Sequence, residues 1–179
     1  MASFTKAQTF TTTNLTINRH VDGTLLVPES VEHPPLVIII AGSGPTNRNG
    51  NQSFMKNDML KKLAEGLSKT GIATFRYDKR IVKQLRTRNL DKNIRFDDFV
   101  IDAKSVVNHF KNTYTSIVIA GHSQGSLVGL LALEAGANGF ISLLKGLTIT
   151  CPRAHIADPK IVRLIPINFP SKLGDPVKI

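Results

Sequence analysis

The sequence predicts an α/β protein in which a mostly parallel sheet is flanked by helices and preceded by a β-hairpin. The run "PPLVIIIAG" is apolar throughout, as in a strand that is buried on both faces. From Leu36 onward, strand and helix patterns alternate three times, which is the order of parallel strands joined by crossover helices. Two short segments with strand character come before this alternation and are separated by a turn signal.

The two N-terminal segments are expected to pair as a hairpin within residues 7–28. Their strands are predicted over Phe10–Ile17 and Thr24–Val27, where β-branched residues are frequent. The sequence "VDGT" contains an Asp-Gly pair, which is typical of a tight hairpin turn. The chain is therefore expected to begin with an antiparallel pair of strands.

Three helices are predicted between and after the buried strands, because apolar residues recur there at intervals of three and four. The helices span residues 57–69, 96–110 and 124–135, and the strands are "LVIIIAG", "IATFRYD" and "SIVIAG". These elements are expected to form one core domain over residues 1–142. Residues 143–179 are expected to be an irregular basic tail, because its prolines are spaced so that no long helix fits between them. Within this tail, "KGLTIT" could form one further strand.

The composition indicates a globular domain. Of the 179 residues 41% are hydrophobic, and no apolar run approaches the roughly 18 residues that a membrane span needs. The N-terminal segment lacks the apolar core of a secretory signal, and the single cysteine, Cys151, excludes an internal disulfide. We therefore expect a cytoplasmic protein without a membrane partner.

The net charge of +10 is concentrated in two segments. Residues 76–95 carry +6 and residues 143–179 carry +4, so the rest of the chain is balanced. Nucleic-acid binding is not favoured, because the sequence has no tryptophan and only two tyrosines to stack on bases. We expect a solvated basic loop at residues 76–95, although its charge could also serve an anionic substrate group such as a phosphate.

The candidate nucleophile is Ser123, in the segment "IVIAGHSQGSLVGLLALEAG" over residues 117–136. Its pattern Gly-x-Ser-x-Gly stands between an apolar strand and an apolar helix, which is the context of a nucleophile elbow. The glycines allow a tight turn that exposes the serine, and the helix N-terminus adds positive potential and free N–H groups. The alternative is a glycine-rich turn that binds phosphate through backbone amides.

A serine nucleophile also needs donors that stabilise the oxyanion formed on the substrate. The loop "GSGPTNRNGNQ", residues 42–52, follows the first buried strand and is rich in glycine, so its N–H groups can approach a ligand closely. The expected donors are the N–H of Gln124 and one N–H from Ser43 or Gly44. An ordinary glycine-rich connection is the alternative.

These motifs resemble those of the α/β-hydrolases, and among them of the bacterial esterases, thioesterases and serine aminopeptidase-like hydrolases. The resemblance covers residues 36–140 and rests on "IIIAGSGPTNRNGN", "LAEGLSKTGIATFRYDKR", "RFDDFVIDAKSVVNHFK" and "IVIAGHSQGSLVGLLAL". It implies a serine hydrolase that acts through Ser123 on a small-molecule ester, thioester or amide, without a metal or organic cofactor. One departure is visible, because relatives usually carry Gly after the "YDKR" arginine, whereas Arg80 here is followed by "IVKQLRTRN".

The acid and base of this family's triad follow the serine, in the order Asp or Glu and then His. His155 is the one histidine after Ser123 and is the candidate base, with Asp158 as the candidate acid, but Asp158 follows the histidine and reverses that order. Glu134 lies eleven residues along the helix from Ser123, about 16 Å away, and cannot orient the base. His122 is expected to be a packing or pocket residue.

The competing interpretation is a C-terminal part that is truncated or altered and lacks the family's acid and histidine. A complete fold of this kind would need about two more strand-helix units. The incomplete sheet would expose an apolar edge, through which the chain would self-associate or recruit a partner. The corresponding function is that of a non-catalytic remnant, a ligand-binding or interaction module.

Overall fold

A computed structural model describes residues 9–144, 147–152 and 163–165 of the protein. Within these residues, one sheet of eight strands is flanked by four α-helices. The strands are β1 (Phe10–Asn18), β2 (Val21–Pro28), β3 (Leu36–Ile40), β4 (Ala73–Tyr77), β5 (Ile117–His122), β6 (Gly139–Leu144), β7 (Leu147–Pro152) and β8 (Arg163–Ile165). The helices are α1 (Met59–Lys69), α2 (Arg80–Thr87), α3 (Phe96–Phe110) and α4 (Gln124–Ala132), and a 3₁₀ turn at Leu133–Ala135 follows α4. None of the helices in this part of the chain is both long enough and apolar enough to cross a membrane.

The strands lie in the order β1-β2-β4-β3-β5-β6-β7-β8. The central strands β4, β3, β5 and β6 run parallel, and the strands on either side pair antiparallel. The predicted α/β fold, with helices flanking parallel core strands and an N-terminal hairpin, is confirmed, and within the described residues the sheet is mixed. Because parallel strands end at the same edge of a sheet, the loops after β3, β4 and β5 lie side by side.

Strand β3 lies at the centre of the core. Leu36, Ile38 and Ile40 pack with α3 and α4 on one face of the sheet, whereas Val37 and Ile39 pack with α1 on the other. All five side chains are buried. This burial explains the apolar run in the sequence, because both faces of β3 pack against helices and neither can hold a polar side chain.

The hairpin turn lies before "VDGT", and these four residues belong to strand β2. The turn is at residues 19 and 20, where Asn18 Oδ1 accepts hydrogen bonds from the N–H groups of His20 and Val21 at 2.8 and 3.1 Å. An Asn side chain that binds the backbone in this way replaces the expected Asp-Gly turn. Gly23 instead serves packing, because a Cβ there would lie 2.1 Å from the Phe75 ring.

Part of the segment expected to be a basic loop is helix α2, so that expectation was wrong for residues 80–87. Its buried residues are Arg80 and Val82, and it ends at Thr87, after which the C-cap residue Arg88 has a φ of 54°. The helix escaped prediction because one of its two buried positions is charged, so the apolar periodicity is weak.

Strand β6 was also missed. It pairs parallel with β5, and β7 then returns antiparallel to β6, with β8 beside it. The sequence "GFISLL" is too short an apolar run to be distinguished from a loop by periodicity.

A buried ion pair joins α2 to α3. Arg80 donates from Nε and Nη2 to the two carboxylate oxygens of Asp102, each at 2.8 Å, and its Nη1 lies 2.7 Å from Asp98. Arg80 and Asp102 are 8% and 2% exposed. Two parallel hydrogen bonds therefore compensate for the lost hydration of both charges.

Asp102→Ala is expected to lower the free energy of unfolding by about 3 kcal/mol, because Arg80 would keep a buried charge without its main partner. Urea denaturation followed by circular dichroism measures the change. The matched control is Asp97→Ala, which removes an exposed carboxylate from the same helix and should cost less than about 1 kcal/mol. Equal losses in the two variants would contradict this role for the Arg80–Asp102 pair.

Candidate active site

Ser123 lies where β5 ends and α4 begins. Its φ of 52° and ψ of −121° are outside the regions that a residue with a side chain usually adopts. The N–H of Ser126 donates to the Ser123 carbonyl at 2.9 Å, and Ser126 Oγ donates to the Gly121 carbonyl at 2.8 Å. Surrounding contacts thus hold a strained turn, and such strain is concentrated at functional sites.

Both glycines of this turn, which we call the elbow (residues 121–125), stand where no side chain fits. A Cβ on Gly121 would lie 2.3 Å from the carbonyl oxygen of Gly125. A Cβ on Gly125 would lie 2.5 Å from the carbonyl oxygen of Ile40 and 2.7 Å from that of Ala41. Gly121 is therefore required where β5 lies against the start of α4, and Gly125 where α4 lies against the end of β3.

The loop after β3 contacts the elbow directly. Strands β3 and β5 pair with Ile40 opposite Gly121, so the two chain segments leave the sheet together. A Cβ on Gly42 would lie 2.9 Å from His122 Nδ1 and 3.3 Å from Ser123 Cβ. The absence of a side chain at Gly42 lets the backbone of this loop lie against Ser123.

The three sequence-predicted oxyanion donors lie on the two segments that meet at the elbow. Gln124 is the first residue of α4, so its N–H has no partner within the helix. Ser43 and Gly44 follow Gly42 and are exposed. The Ser43 carbonyl accepts hydrogen bonds from Thr46 Oγ1 and from the Gln52 amide at 2.8 and 3.1 Å, which hold the loop in shape.

Lys79 is part of this arrangement, and the sequence interpretation missed it by assigning it to the basic loop. Its ammonium donates to the Gly42 carbonyl at 2.6 Å and to Gln124 Oε1 at 3.3 Å, and it lies 5.0 Å from the centre of the Phe99 ring. The residue is only 5% exposed. Its position after β4, the parallel neighbour of β3, brings it to the same edge of the sheet as the elbow.

Burial lowers the pKa of Lys79 from 10.5 to about 8, because the ammonium loses hydration. The cavity that Lys79 lines with Gln124 has a volume of about 10 Å³, which is room for about one water molecule. The site therefore contains a buried cation that is compensated by a carbonyl, an amide oxygen and an aromatic ring.

The described residues do not bring a general base to Ser123. His155 and Asp158, the candidate base and acid, lie outside the described residues. His122 is half-buried, and burial lowers its pKa, but within residues 9–144 no hydrogen bond joins a histidine to Ser123. Glu134 is exposed and forms an ion pair with Lys104.

The stability of the fold should rise with pH through Lys79. Its lowered pKa means that the unfolded chain binds more protons than the folded chain between about pH 8 and 10.5, whereas below pH 8 both states carry the charge. From pH 7 to 10.5 the unfolding free energy of the wild type should therefore gain up to about 3 kcal/mol relative to Lys79→Met. Urea denaturation at both pH values tests this, with Lys62→Met as the exposed-lysine control. A pH-independent difference would contradict it.

No family model matches the chain. In sequence it is similar to Esterase EstD of Thermotoga maritima, with 24% identity over 145 residues, which are 80% of this chain and 34% of the esterase. The chain thus spans about a third of the length of the curated relative that it matches.

Two solved structures share the fold. The dienelactone hydrolase from Anabaena variabilis superimposes with a TM-score of 0.51 and 18% identity, over 76% of this chain and 63% of the hydrolase. The dienelactone hydrolase-like promiscuous phosphotriesterase P91, from metagenomic libraries, has a TM-score of 0.54 and 14% identity, over 77% of this chain and 59% of its own. The chain thus shares the fold of these two hydrolases and is similar in sequence to an esterase.

Proposed function

We propose that the chain is a serine hydrolase that cleaves a carboxylic ester, or the related thioester or amide, of a small-molecule acyl substrate. Ser123 is its nucleophile. The observation that carries this function is the backbone of Ser123, held at a φ of 52° beside two glycines that have no room for a side chain. Sequence similarity to a Thermotoga maritima esterase supports an ester as the bond that is cleaved.

In this mechanism Ser123 Oγ attacks the carbonyl carbon of the substrate, and the alcohol leaves as the acyl-enzyme forms. The N–H of Gln124 and an N–H of Ser43 or Gly44 donate to the oxyanion, each donor contributing about 3 kcal/mol of transition-state stabilisation. Water then hydrolyses the acyl-enzyme. Lys79 supports the donors, because its hydrogen bonds tie the Gly42 carbonyl to the Gln124 side chain.

The attack requires a base that accepts the Ser123 proton. We assign this role to His155, with Asp158 as its acid, since the histidines within residues 9–144 make no hydrogen bond to Ser123. The same observation favours the second candidate function, a non-catalytic hydrolase-fold module that keeps the elbow and binds a ligand or a partner.

A fluorophosphonate probe is expected to label the purified chain at Ser123, because an activated serine displaces fluoride from phosphorus and forms a stable adduct. Intact-mass measurement detects the adduct. Labelling should disappear in Ser123→Ala and in His155→Ala. Ser53→Ala, which removes an exposed serine of the segment between β3 and α1, is the matched control and should label as the wild type does.

Absence of labelling in a folded chain would exclude the hydrolase and favour the non-catalytic module. Labelling that disappears in Ser123→Ala but persists in His155→Ala would retain the nucleophile and exclude His155 as its base.

Self-association is the second part of the proposal. Leu127, Leu130 and Leu131 lie on one face of α4 and are 52%, 43% and 45% exposed. An apolar helix face of this kind favours contact with another protein surface. We expect the mean mass of the wild type, measured by size-exclusion chromatography with light scattering, to rise with protein concentration. The mean mass of Leu127→Lys/Leu131→Lys should stay at that of a monomer. A wild type that is monomeric at all concentrations would contradict self-association.

A further inference from the structure

A cavity of about 350 Å³ lies beside the loops that follow β3 and β4, and it shares no lining residue with the elbow. We call it the Arg76 pocket. Four cationic side chains and one carboxylate line it, and they come from five segments of the chain: Arg48 and Asp78 from the loops after β3 and β4, Lys61 from α1, Arg76 from β4 and Arg86 from α2. Its lining therefore has a net charge of +3.

The carboxylate in this pocket is already engaged. Asp78 accepts hydrogen bonds from Arg48 Nη2 at 2.8 Å and Nε at 3.1 Å, and from Arg86 Nη1 at 2.9 Å. These cations hold the pKa of Asp78 below its usual value even though its burial raises it. The charge of Asp78 is thus used by Arg48 and Arg86, and the buried Arg76 needs another counter-charge.

Arg76 is the residue whose charge is least compensated. It is 5% exposed, its Nε donates at 3.3 Å to Asn49 Oδ1, and its buried Nη1 has no hydrogen-bond partner within the described residues. A guanidinium stays protonated in proteins, so burial leaves it charged. A buried charge of this kind requires an opposite charge or a full set of hydrogen bonds.

Neighbouring carboxylates do not supply that charge. Glu65 and Asp58 interact with Arg76 only through long-range electrostatics. Each has a nearer partner: Glu65 lies 3.9 Å from the Lys61 ammonium, and Asp58 accepts a hydrogen bond from the Asn51 amide at 2.6 Å. Burial is the main influence on Arg76, and it lowers the pKa of the guanidinium. An external anion in the pocket would complete this set of interactions.

We propose that the Arg76 pocket binds the phosphate group of a small molecule, with Arg76 and Lys61 as its principal donors. A phosphate carries nearly two negative charges at neutral pH and oxygens in a tetrahedral arrangement, which suits donors that converge from several elements. A carboxylate presents two oxygens in one plane. The pocket is concave and its volume is that of a small-molecule site. Among the described residues, its lining contains no aromatic side chain on which a nucleic-acid base could stack.

Isothermal titration calorimetry of the purified chain with inorganic phosphate, in chloride buffer at constant ionic strength, tests this binding. We expect saturable binding that is lost in Arg76→Gln and weakened about tenfold in Lys61→Ala, since a charge-assisted hydrogen bond is removed. Lys62→Ala removes the exposed neighbouring lysine of α1, which does not line the pocket, and should bind as the wild type does. Glucose 6-phosphate, titrated in parallel, distinguishes a phosphoryl compound from free phosphate by its tighter binding.

Ser123→Ala should bind phosphate unchanged, so that failure of this binding and failure of the proposed hydrolase are separate results. If Arg76→Gln does not fold, the phosphate affinity of Lys61→Ala and Arg86→Ala tests the proposal instead. Both side chains are partly exposed, so that these variants should fold. Binding that persists in every pocket variant, or no saturable heat in the wild type, would overturn the proposal. Equal affinity for acetate would assign the pocket to carboxylates instead, and binding of a single-stranded oligonucleotide without binding of phosphate would assign it to nucleic acid.

Discussion

The contact between the elbow and the carboxyl end of β3 is the constraint on which the site depends. Helix α4 starts so close to β3 that a methyl group on Gly125 would lie 2.5 Å from the Ile40 carbonyl oxygen. This approach places the loop after β3 against Ser123 and points the N-terminus of α4 at the same place. The positive φ of Ser123 is a cost of that geometry, and the sheet and helix around it offset the strain.

Three consecutive buried residues after β4 connect this edge of the sheet to the elements around it. Asp78 binds Arg48 in the loop after β3, Lys79 binds the Gly42 carbonyl beside the elbow, and Arg80 binds Asp102 in α3. Adjacent side chains thus point to three different parts of the fold. A short charged segment at the end of a central strand therefore links the elbow to the loop after β3 and to α3.

The loop of residues 42–52 is shared by the two candidate sites. Its first residues lie at the elbow, and its later residues, Arg48 and Asn49, line the Arg76 pocket. The same loop also binds the start of α1, because the Asn49 carbonyl accepts a hydrogen bond from the Leu60 N–H at 3.1 Å. Its first residues include glycines, which allow close contact with the elbow. Its later residues carry charged and amide side chains, which line the Arg76 pocket.

The sequence by itself determined the elements that rest on local patterns. The apolar run of β3, the helical spacing of α1 and α3, and the Gly-x-Ser-x-Gly turn are each readable because neighbouring residues decide them. Tertiary structure decided what depends on distant partners. Helix α2 forms with a buried arginine whose partner, Asp102, is 22 positions away, and Lys79 enters the site only because β4 pairs with β3. The Arg76 nitrogen that has no hydrogen-bond partner within the described residues has no sequence signal either, because a missing partner can be recognised only once the neighbouring residues are in place.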